Sequence, residues 1–128
     1  MYKRQQLTFS QEIQMDGAII VSTPQEIALL DGKRGIKMFD KLGVQILGLV
    51  DNMSFFIGDD DKKYKIFGEG GVKKTADEFK KEFLGEIPID PKVGKTGDEG
   101  MPIVESDPTN EVSKIYLNFA NKIKLTYL

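Results

Sequence analysis

The stretch Ile46-Leu47-Gly48-Leu49-Val50-Asp51-Asn52-Met53-Ser54 decides the fold of this chain. Its first five residues form an unbroken apolar run of strand length, and the sequence turns polar at Asp51. An apolar run that does not alternate is typical of a parallel strand covered on both faces, and the loop after such a strand is where an α/β protein meets its ligand. Asn52 is therefore the first candidate for a specific contact.

Two other stretches repeat this layout. Residues 18–21 run into Ser22-Thr23-Pro24, and residues 83–87 run into Pro88-Ile89-Asp90. We expect three parallel strands, with residues 18–21 central in the sheet and covered on both faces because their apolar side chains do not alternate. Ligands of open α/β sheets lie beyond the carboxyl ends of the strands. The predicted rim of the site comprises Thr23, Pro24, Asn52, Pro88 and Asp90.

Helices are predicted between and after these strands. The first opens at Ser22-Thr23-Pro24, which offers a hydroxyl cap and a proline near the first turn, and ends near Lys41. Gly32 and Gly35 lie inside it, and each costs a helix about 1 kcal/mol relative to alanine, which indicates close approach to the sheet or a neighbour. A second helix carries Val72, Ala76 and Phe79 at helical spacing.

The remaining segments have weaker patterns, apart from the last one. Residues 5–14 fit a short helix, residues 53–67 fit a surface hairpin or excursion around a Gly/Asp turn, and residues 91–100 fit a short helix or irregular turn. A clear amphipathic helix is predicted to start at Asp107-Pro108 and to pack on the sheet. Residues 1–128 are therefore interpreted as one α/β domain, with a mainly parallel sheet and flanking helices.

Composition limits the function. The chain has 128 residues, of which 40% are hydrophobic and 30% charged, with a net charge of -2, so nucleic acid and anionic membranes are disfavoured as partners. No stretch reaches membrane-spanning length and residues 1–6 lack the apolar core of a signal peptide, which favours a cytoplasmic location. Cysteine and histidine are both absent, which excludes disulfides, thiolate nucleophiles, imidazole bases and the usual ligands of zinc or iron–sulfur clusters.

Three motifs have both a functional and a structural interpretation. The Asn52 amide carries the donor and the acceptor that an adenine edge requires, but an asparagine at this place also caps turns with its own side chain. Residues 68–75 resemble a phosphate loop, yet Lys73 stands where the second glycine belongs, which favours a helix start on a tight turn. Asp59-Asp60-Asp61 could attract a hard cation, but the ligand alternation of an EF-hand is missing, which favours a solvated turn.

Six segments together resemble the Mrp/ApbC family, in the right order and over nearly the whole chain from about Gln6. They are Gly17-Ala18-Ile19-Ile20-Val21-Ser22-Thr23-Pro24-Gln25, Arg34-Gly35-Ile36-Lys37-Met38-Phe39, Leu47-Gly48-Leu49-Val50-Asp51-Asn52-Met53-Ser54, Ile66-Phe67-Gly68-Glu69-Gly70-Gly71, Phe83-Leu84-Gly85-Glu86-Ile87-Pro88-Ile89-Asp90 and Pro102-Ile103-Val104. These are P-loop ATPases of the MinD and nitrogenase-iron-protein type, which act as iron–sulfur cluster carriers or assembly factors. The resemblance implies a SIMIBI-type three-layer fold.

The resemblance also implies that this chain is the C-terminal half of an ATP-binding domain. The Walker A loop and acidic switch motifs, which hold phosphates and magnesium in such proteins, are absent from the sequence. By position, Asn52 matches the asparagine that reads adenine, and Pro88-Ile89-Asp90 matches the loop that lines the base. ATP with Mg is the implied cofactor, and a homodimer that serves iron–sulfur apoproteins or a scaffold is the implied assembly. The resemblance gives no catalytic residue or metal ligand in this chain.

One departure from the family concerns the cluster. Cluster-carrying members have Cys-x-x-Cys after the Asn-Met-Ser segment, where it bridges a [4Fe-4S] cluster across a dimer, and here Gly58 and Asp61 stand near those positions. Without thiolates the chain has no means of sharing a cluster in that way. The leading hypothesis is an ATP-binding protein of iron–sulfur cluster maturation. The alternatives are a non-catalytic protein-interaction module and a MinD-like or ParA-like positioning ATPase, for which residues 118–128 are only weakly basic.

Two properties of the 128-residue chain follow from this view. It is not expected to hydrolyse ATP, because phosphoryl transfer needs a phosphate cradle and magnesium. A parallel sheet cut beside its central strands leaves an unpaired apolar edge, so the chain is expected to self-associate or to be poorly soluble.

Overall fold

The computed structural model describes residues 15–127, so the helix predicted within residues 5–14 lies outside the described residues. Ten elements follow one another in this range, and most of them coincide with the sequence prediction. They are β1 (Ala18–Ser22), α1 (Glu26–Leu42), β2 (Ile46–Asn52), β3 (Phe56–Ile57), β4 (Lys63–Tyr64), α2 (Gly71–Glu78), β5 (Phe83–Ile87), α3 (Pro91–Asp98), α4 (Ile103–Ser106) and α5 (Glu111–Tyr127).

The main sheet has three parallel strands in the order β1-β2-β5. Ser22 lies beside Asp51, and Asn52 lies beside Ile87, so the carboxyl ends of all three strands meet at one edge of the sheet. This confirms the predicted α/β class with a parallel sheet. β3 and β4 pair antiparallel in a separate hairpin, as predicted.

Two apolar cores lie on opposite faces of this sheet. The first, under α1 and α2, includes the fully buried side chains of Ile36, Leu49 and Val72. The second, under α4 and α5, includes Val50 and Val112. Successive residues of β2 therefore enter different cores, which explains why its apolar run does not alternate. Helices, sheet and helices make up three layers.

β1 differs from its prediction, because it is an edge strand in the described residues and one of its faces is open. Ala18, Ile20 and Ser22 are buried, but Ile19 is 39% exposed and Val21 is 58% exposed. The expectation of a central strand covered on both faces is wrong here, because α5 packs on β5 and no strand within residues 15–127 pairs with the outer side of β1. Its apolar run marks a surface that this part of the chain leaves uncovered.

α1 begins later than predicted and packs less tightly. Its first residue is Glu26, and the Ser22 hydroxyl donates to the carbonyl of Thr23 instead of capping the helix. A Cβ atom added at Gly32 or Gly35 would lie 3.7 Å from the Ile20 side chain, which is an ordinary van der Waals distance. The helix does face β1 at these glycines, but there is room for a methyl group, so close packing does not require them.

α5 begins at Glu111 and not at Asp107. The Asn110 side chain accepts a hydrogen bond of 2.8 Å from the backbone N–H of Val112, which makes Asn110 the capping residue. The Asp107 carboxylate instead accepts from the Lys92 ammonium of α3, so it ties two helical segments together. The predicted contact of this helix with the sheet is confirmed, because Val112 and Phe119 are buried in the second core.

Gly48 in β2 is a position where a side chain is excluded. An added Cβ would lie 2.5 Å from Cγ of Leu84, which is only 4% exposed and is held by the second core. We expect Gly48→Ala to lower the free energy of unfolding by about 1–3 kcal/mol, as overpacked cores do. Gly94→Ala in α3 is the matched control, because nothing lies within 4 Å of its added Cβ. Urea unfolding followed by circular dichroism measures both, and equal stability of the two variants would contradict the expectation.

Candidate nucleotide-base site

The loop that follows β2 is joined by backbone hydrogen bonds to the end of β5 and to the loop after it. The N–H of Ser54 donates to the carbonyl of Ile87 at 3.0 Å, and the N–H of Ile89 donates to the carbonyl of Phe55 at 2.7 Å. Since Asn52 is also the register neighbour of Ile87, the two predicted parts of the base site are adjacent. The pairing of β2 with β5 thus continues beyond the strand ends, in the region where ligands of such sheets bind.

Asn52 stands at the end of β2 with its side chain half-buried. Its amide makes no hydrogen bond to any other residue within 15–127, so the turn-capping interpretation finds no support in this range. Pro88 and Ile89 are half-buried on the neighbouring loop. Asn52 is paired in register with Ile87, the residue before Pro88 and Ile89, so an amide without a partner within residues 15–127 and two half-buried apolar side chains lie at the same edge of the sheet. Such a combination suits a flat heterocycle with polar edges.

Asp90, the last of the predicted site residues, has a structural partner. Its carboxylate accepts a hydrogen bond of 2.9 Å from the backbone N–H of Lys92, and so it caps α3 with Pro91 in the first turn. This contact accounts for an aspartate at this place. Contact of Asp90 with a base stays a prediction.

The candidate site is an open wall and not a closed cavity. A groove of about 860 Å3 runs along β1 and α1, and an apolar cavity of about 450 Å3 lies among α3, α4 and α5. Neither is lined by Asn52, Pro88 or Ile89. Among the described residues, Asn52, Pro88 and Ile89 therefore form an open surface and do not line either of these cavities.

A buried polar pair that the sequence did not predict lies next to Asn52. Asp51 and Ser54 are each only 1% exposed, and Oδ2 of Asp51 accepts a hydrogen bond of 3.2 Å from the Ser54 hydroxyl. Oδ1 of Asp51 is buried with no donor among the described residues. Burial raises the pKa of the Asp51 carboxyl, and the hydrogen bond from Ser54 opposes this rise. The sequence signal for this pair is an acidic residue, Asp51, directly after the apolar run of β2.

The glycines of residues 68–71 are explained by a turn and by helix packing. Gly68 has φ 125° and Gly70 has φ 71°, both in the region that favours glycine. A Cβ added at Gly71 would lie 2.6 Å from Cδ1 of Leu29 on α1. This geometry supports the interpretation of a helix start on a tight turn.

The acidic turn is held by its own contacts. Asp60 accepts hydrogen bonds from the backbone N–H of Lys62 and from the Tyr64 hydroxyl, and the latter bond lowers the pKa of Asp60. No group of three or more acidic residues able to hold a metal ion occurs within the described range. The solvated-turn interpretation is supported. Gly58 and Asp61, near which the resemblance to the Mrp/ApbC family predicts cysteines, lie in this turn.

Comparison with known proteins gives the family. The profile of the ParA-type family described as NUBPL iron-transfer P-loop NTPase matches residues 4–124. The chain belongs to this family. The predicted Mrp/ApbC membership and the P-loop NTPase type of α/β fold are thereby confirmed.

Curated relatives of the NUBPL-type family are much longer than this chain. The iron-sulfur cluster carrier protein of Aquifex aeolicus is 44% identical over 116 residues, which cover 90% of this chain but 32% of the relative. A solved nucleotide-binding protein of Archaeoglobus fulgidus, in complex with ADP, is 38% identical with a TM-score of 0.64, and the match covers 73% of this chain and 39% of that one. The MinD cell division ATPase of Pyrococcus furiosus is 25% identical with a TM-score of 0.65, covering 86% and 43%. The chain thus spans about a third of the length of the curated relatives it matches.

Within residues 15–127, no helix is both long enough and apolar enough to cross a membrane. The chain also contains no cysteine, so this NUBPL-type segment has no thiolate ligands for an iron–sulfur cluster.

Proposed function

We propose that this chain supplies the adenine side of the nucleotide site in an ATP-binding carrier or assembly protein for iron–sulfur clusters. The half-buried Asn52 amide, which has no partner among the described residues, carries this proposal, because its register neighbour Ile87 leads directly into Pro88 and Ile89. An amide offers both the donor and the acceptor that the edge of adenine requires. The ADP complex of the Archaeoglobus fulgidus protein supports a nucleotide as the ligand.

The residues present fit the base but not the rest of MgATP. The sequence holds no complete phosphate-loop pattern, and the described part of the chain has no acidic cluster for magnesium. The phosphates and the metal would therefore be held by residues outside this segment. MgATP, when bound, supplies the phosphoryl group whose transfer to water drives a conformational change. Asn52, Pro88 and Ile89 bind and orient its base.

An iron–sulfur cluster is the proposed cargo of the whole protein. Because this segment has no cysteine, ligands for the cluster would lie elsewhere in the protein or on its partner, an apoprotein or a scaffold. A cytoplasmic homodimer is the proposed working form. The names of the relatives, which are iron-sulfur cluster carrier proteins, support the cargo class.

Asn52→Ala tests the proposal. NMR titration of the 128-residue chain with adenosine and with guanosine is expected to show tighter binding of adenosine, with shifts at Asn52 and Ile89. The substitution is expected to weaken adenosine binding roughly 5-fold or more, because a bidentate amide–base contact contributes about 1–3 kcal/mol. Asn118→Ala, an exposed asparagine of α5, is the matched control and should change nothing. Equal affinity of the unsubstituted chain for the two nucleosides would contradict the proposal.

A protein-interaction module is the second candidate function. The open face of β1, where Ile19 and Val21 are exposed beside a groove of about 860 Å3, favours it. No shift with either nucleoside, together with no effect of Asn52→Ala, is the titration result expected for such a module.

A further inference from the structure

We infer that Asp51 is the positioning residue that orients Asn52 toward the base. This inference rests on the proposed function, because it concerns the same adenine contact. Asp51 does not reach the base itself in this view. It acts through Ser54, by fixing the turn that carries the Asn52 side chain.

The hydrogen bond between Asp51 and Ser54 spans the turn that begins at Asn52. Oδ2 of Asp51 accepts from the Ser54 hydroxyl at 3.2 Å, and both side chains are buried, so water does not compete for this contact. The two residues enclosed by this bond are Asn52 and Met53. Any change in the bond therefore changes the backbone that directs the Asn52 amide.

The backbone conformation of Met53 shows why the turn needs the hydrogen bond between Asp51 and Ser54. Its φ is 52°, in the left-handed region that side chains with a Cβ rarely adopt. Two contacts fix the chain immediately after it, both made by Ser54: the side-chain bond to Asp51 and the backbone N–H bond of 3.0 Å to the carbonyl of Ile87. The first bond ties the turn to its own strand, and the second ties it to the last residue of β5. With the side-chain bond removed, only the backbone bond to Ile87 opposes the return of Met53 to an ordinary conformation.

An acid at this place is otherwise unfavourable for the fold. Oδ1 of Asp51 is buried without a donor in the described range, and the charged groups that face it are Glu86, its register neighbour on β5, and Lys65, which forms an ion pair with Glu86 at 3.6 Å. Burial and Glu86 both disfavour the ionised carboxylate, and Lys65 opposes them. The geometric contribution of Asp51 is thus its acceptor oxygen, which an asparagine would retain and an alanine would not.

Three variants of the 128-residue chain test the inference, with two measurements. The first is the ratio of the dissociation constants for guanosine and adenosine, from NMR titration. The second is amide hydrogen exchange at Ser54 and Ile89, which needs no ligand, compared with exchange in α5. Asp51→Ala is expected to reduce the ratio at least 5-fold and to accelerate exchange at both amides at least 10-fold. Asp51→Asn is expected to stay within 2-fold of the unsubstituted chain in both.

Ser54→Ala is expected to have the same two effects as Asp51→Ala, although it keeps the buried carboxyl. The double variant Asp51→Ala with Ser54→Ala should show effects no larger than either single variant, because both substitutions remove the same hydrogen bond. Equal weakening of both nucleosides by Asp51→Ala overturns the inference, since it indicates a general structural role. A reduction of the ratio of dissociation constants by Asp51→Asn that is as large as the reduction by Asp51→Ala also overturns the inference. If the unsubstituted chain does not prefer adenosine, the proposed function fails separately, and exchange at Ser54 and Ile89 still decides whether Asp51 holds the turn.

Discussion

The Val21→Lys chain is expected to remain monomeric at concentrations at which the unsubstituted chain self-associates. The outer side of β1 has no partner strand within residues 15–127, and Val21 is 58% exposed on its open face. A bare apolar strand edge is a template for pairing with another chain, and a lysine near the edge opposes such pairing. The other edge of the sheet already has this protection, because the Lys122 ammonium donates to the carbonyl of Leu84 in β5 at 2.9 Å. Association is therefore expected through β1.

Light scattering over a range of protein concentrations measures this effect. Leu125→Lys is the matched control, because Leu125 is 87% exposed on α5 and its replacement removes apolar surface far from β1 in the sequence. We expect the control to associate like the unsubstituted chain. Val21→Lys should leave the free energy of unfolding within about 0.5 kcal/mol, since the residue it replaces is exposed. A monodisperse monomer of the unsubstituted chain at high concentration would contradict the prediction.

The 128-residue chain is expected to show no ATP hydrolysis above background. Phosphoryl transfer is catalysed by positioning and by charge stabilisation around the phosphates, which require a phosphate cradle, magnesium and a residue that orients the attacking water. The sequence holds no complete phosphate loop. Gly70 and Gly71 resemble part of one, but Gly70 forms a turn with positive φ and Gly71 packs against α1. Binding of the base by Asn52 would give affinity without turnover.

Release of inorganic phosphate from ATP with magnesium is the measurement for this prediction. Asn52→Ala is the internal control, because activity from a contaminating ATPase would be unchanged by it. Turnover that falls with the Asn52→Ala substitution would belong to this chain and would show that the phosphates are positioned by residues within it. That result would contradict the prediction.

The sequence was sufficient for features that depend on local pattern. Leu49 and Val50 face opposite cores, as the unbroken apolar run that contains them predicts for a strand covered on both sides. Topology predicts that Asn52 and Pro88 lie at one edge of the sheet, and the structure does place the segments that carry them together. The role of Ile89 and the adenine contact of Asn52 come from the resemblance to the Mrp/ApbC family and not from topology.

Other features depend on partners that a pattern does not reveal. The run around Ile19 and Val21 has the same composition as a buried strand, but burial of those side chains depends on what pairs outside β1, which local sequence does not specify. The bond between Asp51 and Ser54 requires a positive φ at Met53, a conformation that no rule assigns to methionine. Both were inaccessible because they depend on long-range pairing or on an uncommon backbone conformation.

The paired loops after β2 and β5 have a thermodynamic consequence. Their two shared hydrogen bonds, Ser54 to Ile87 and Ile89 to Phe55, are made by the chain alone. A base that binds there would not have to order either loop, so little conformational entropy is lost on this side of the nucleotide. The affinity of this surface for the base should therefore depend weakly on the rest of the nucleotide site. Any large rearrangement that accompanies nucleotide exchange would take place in other parts of the protein, around a base-binding surface that keeps its shape.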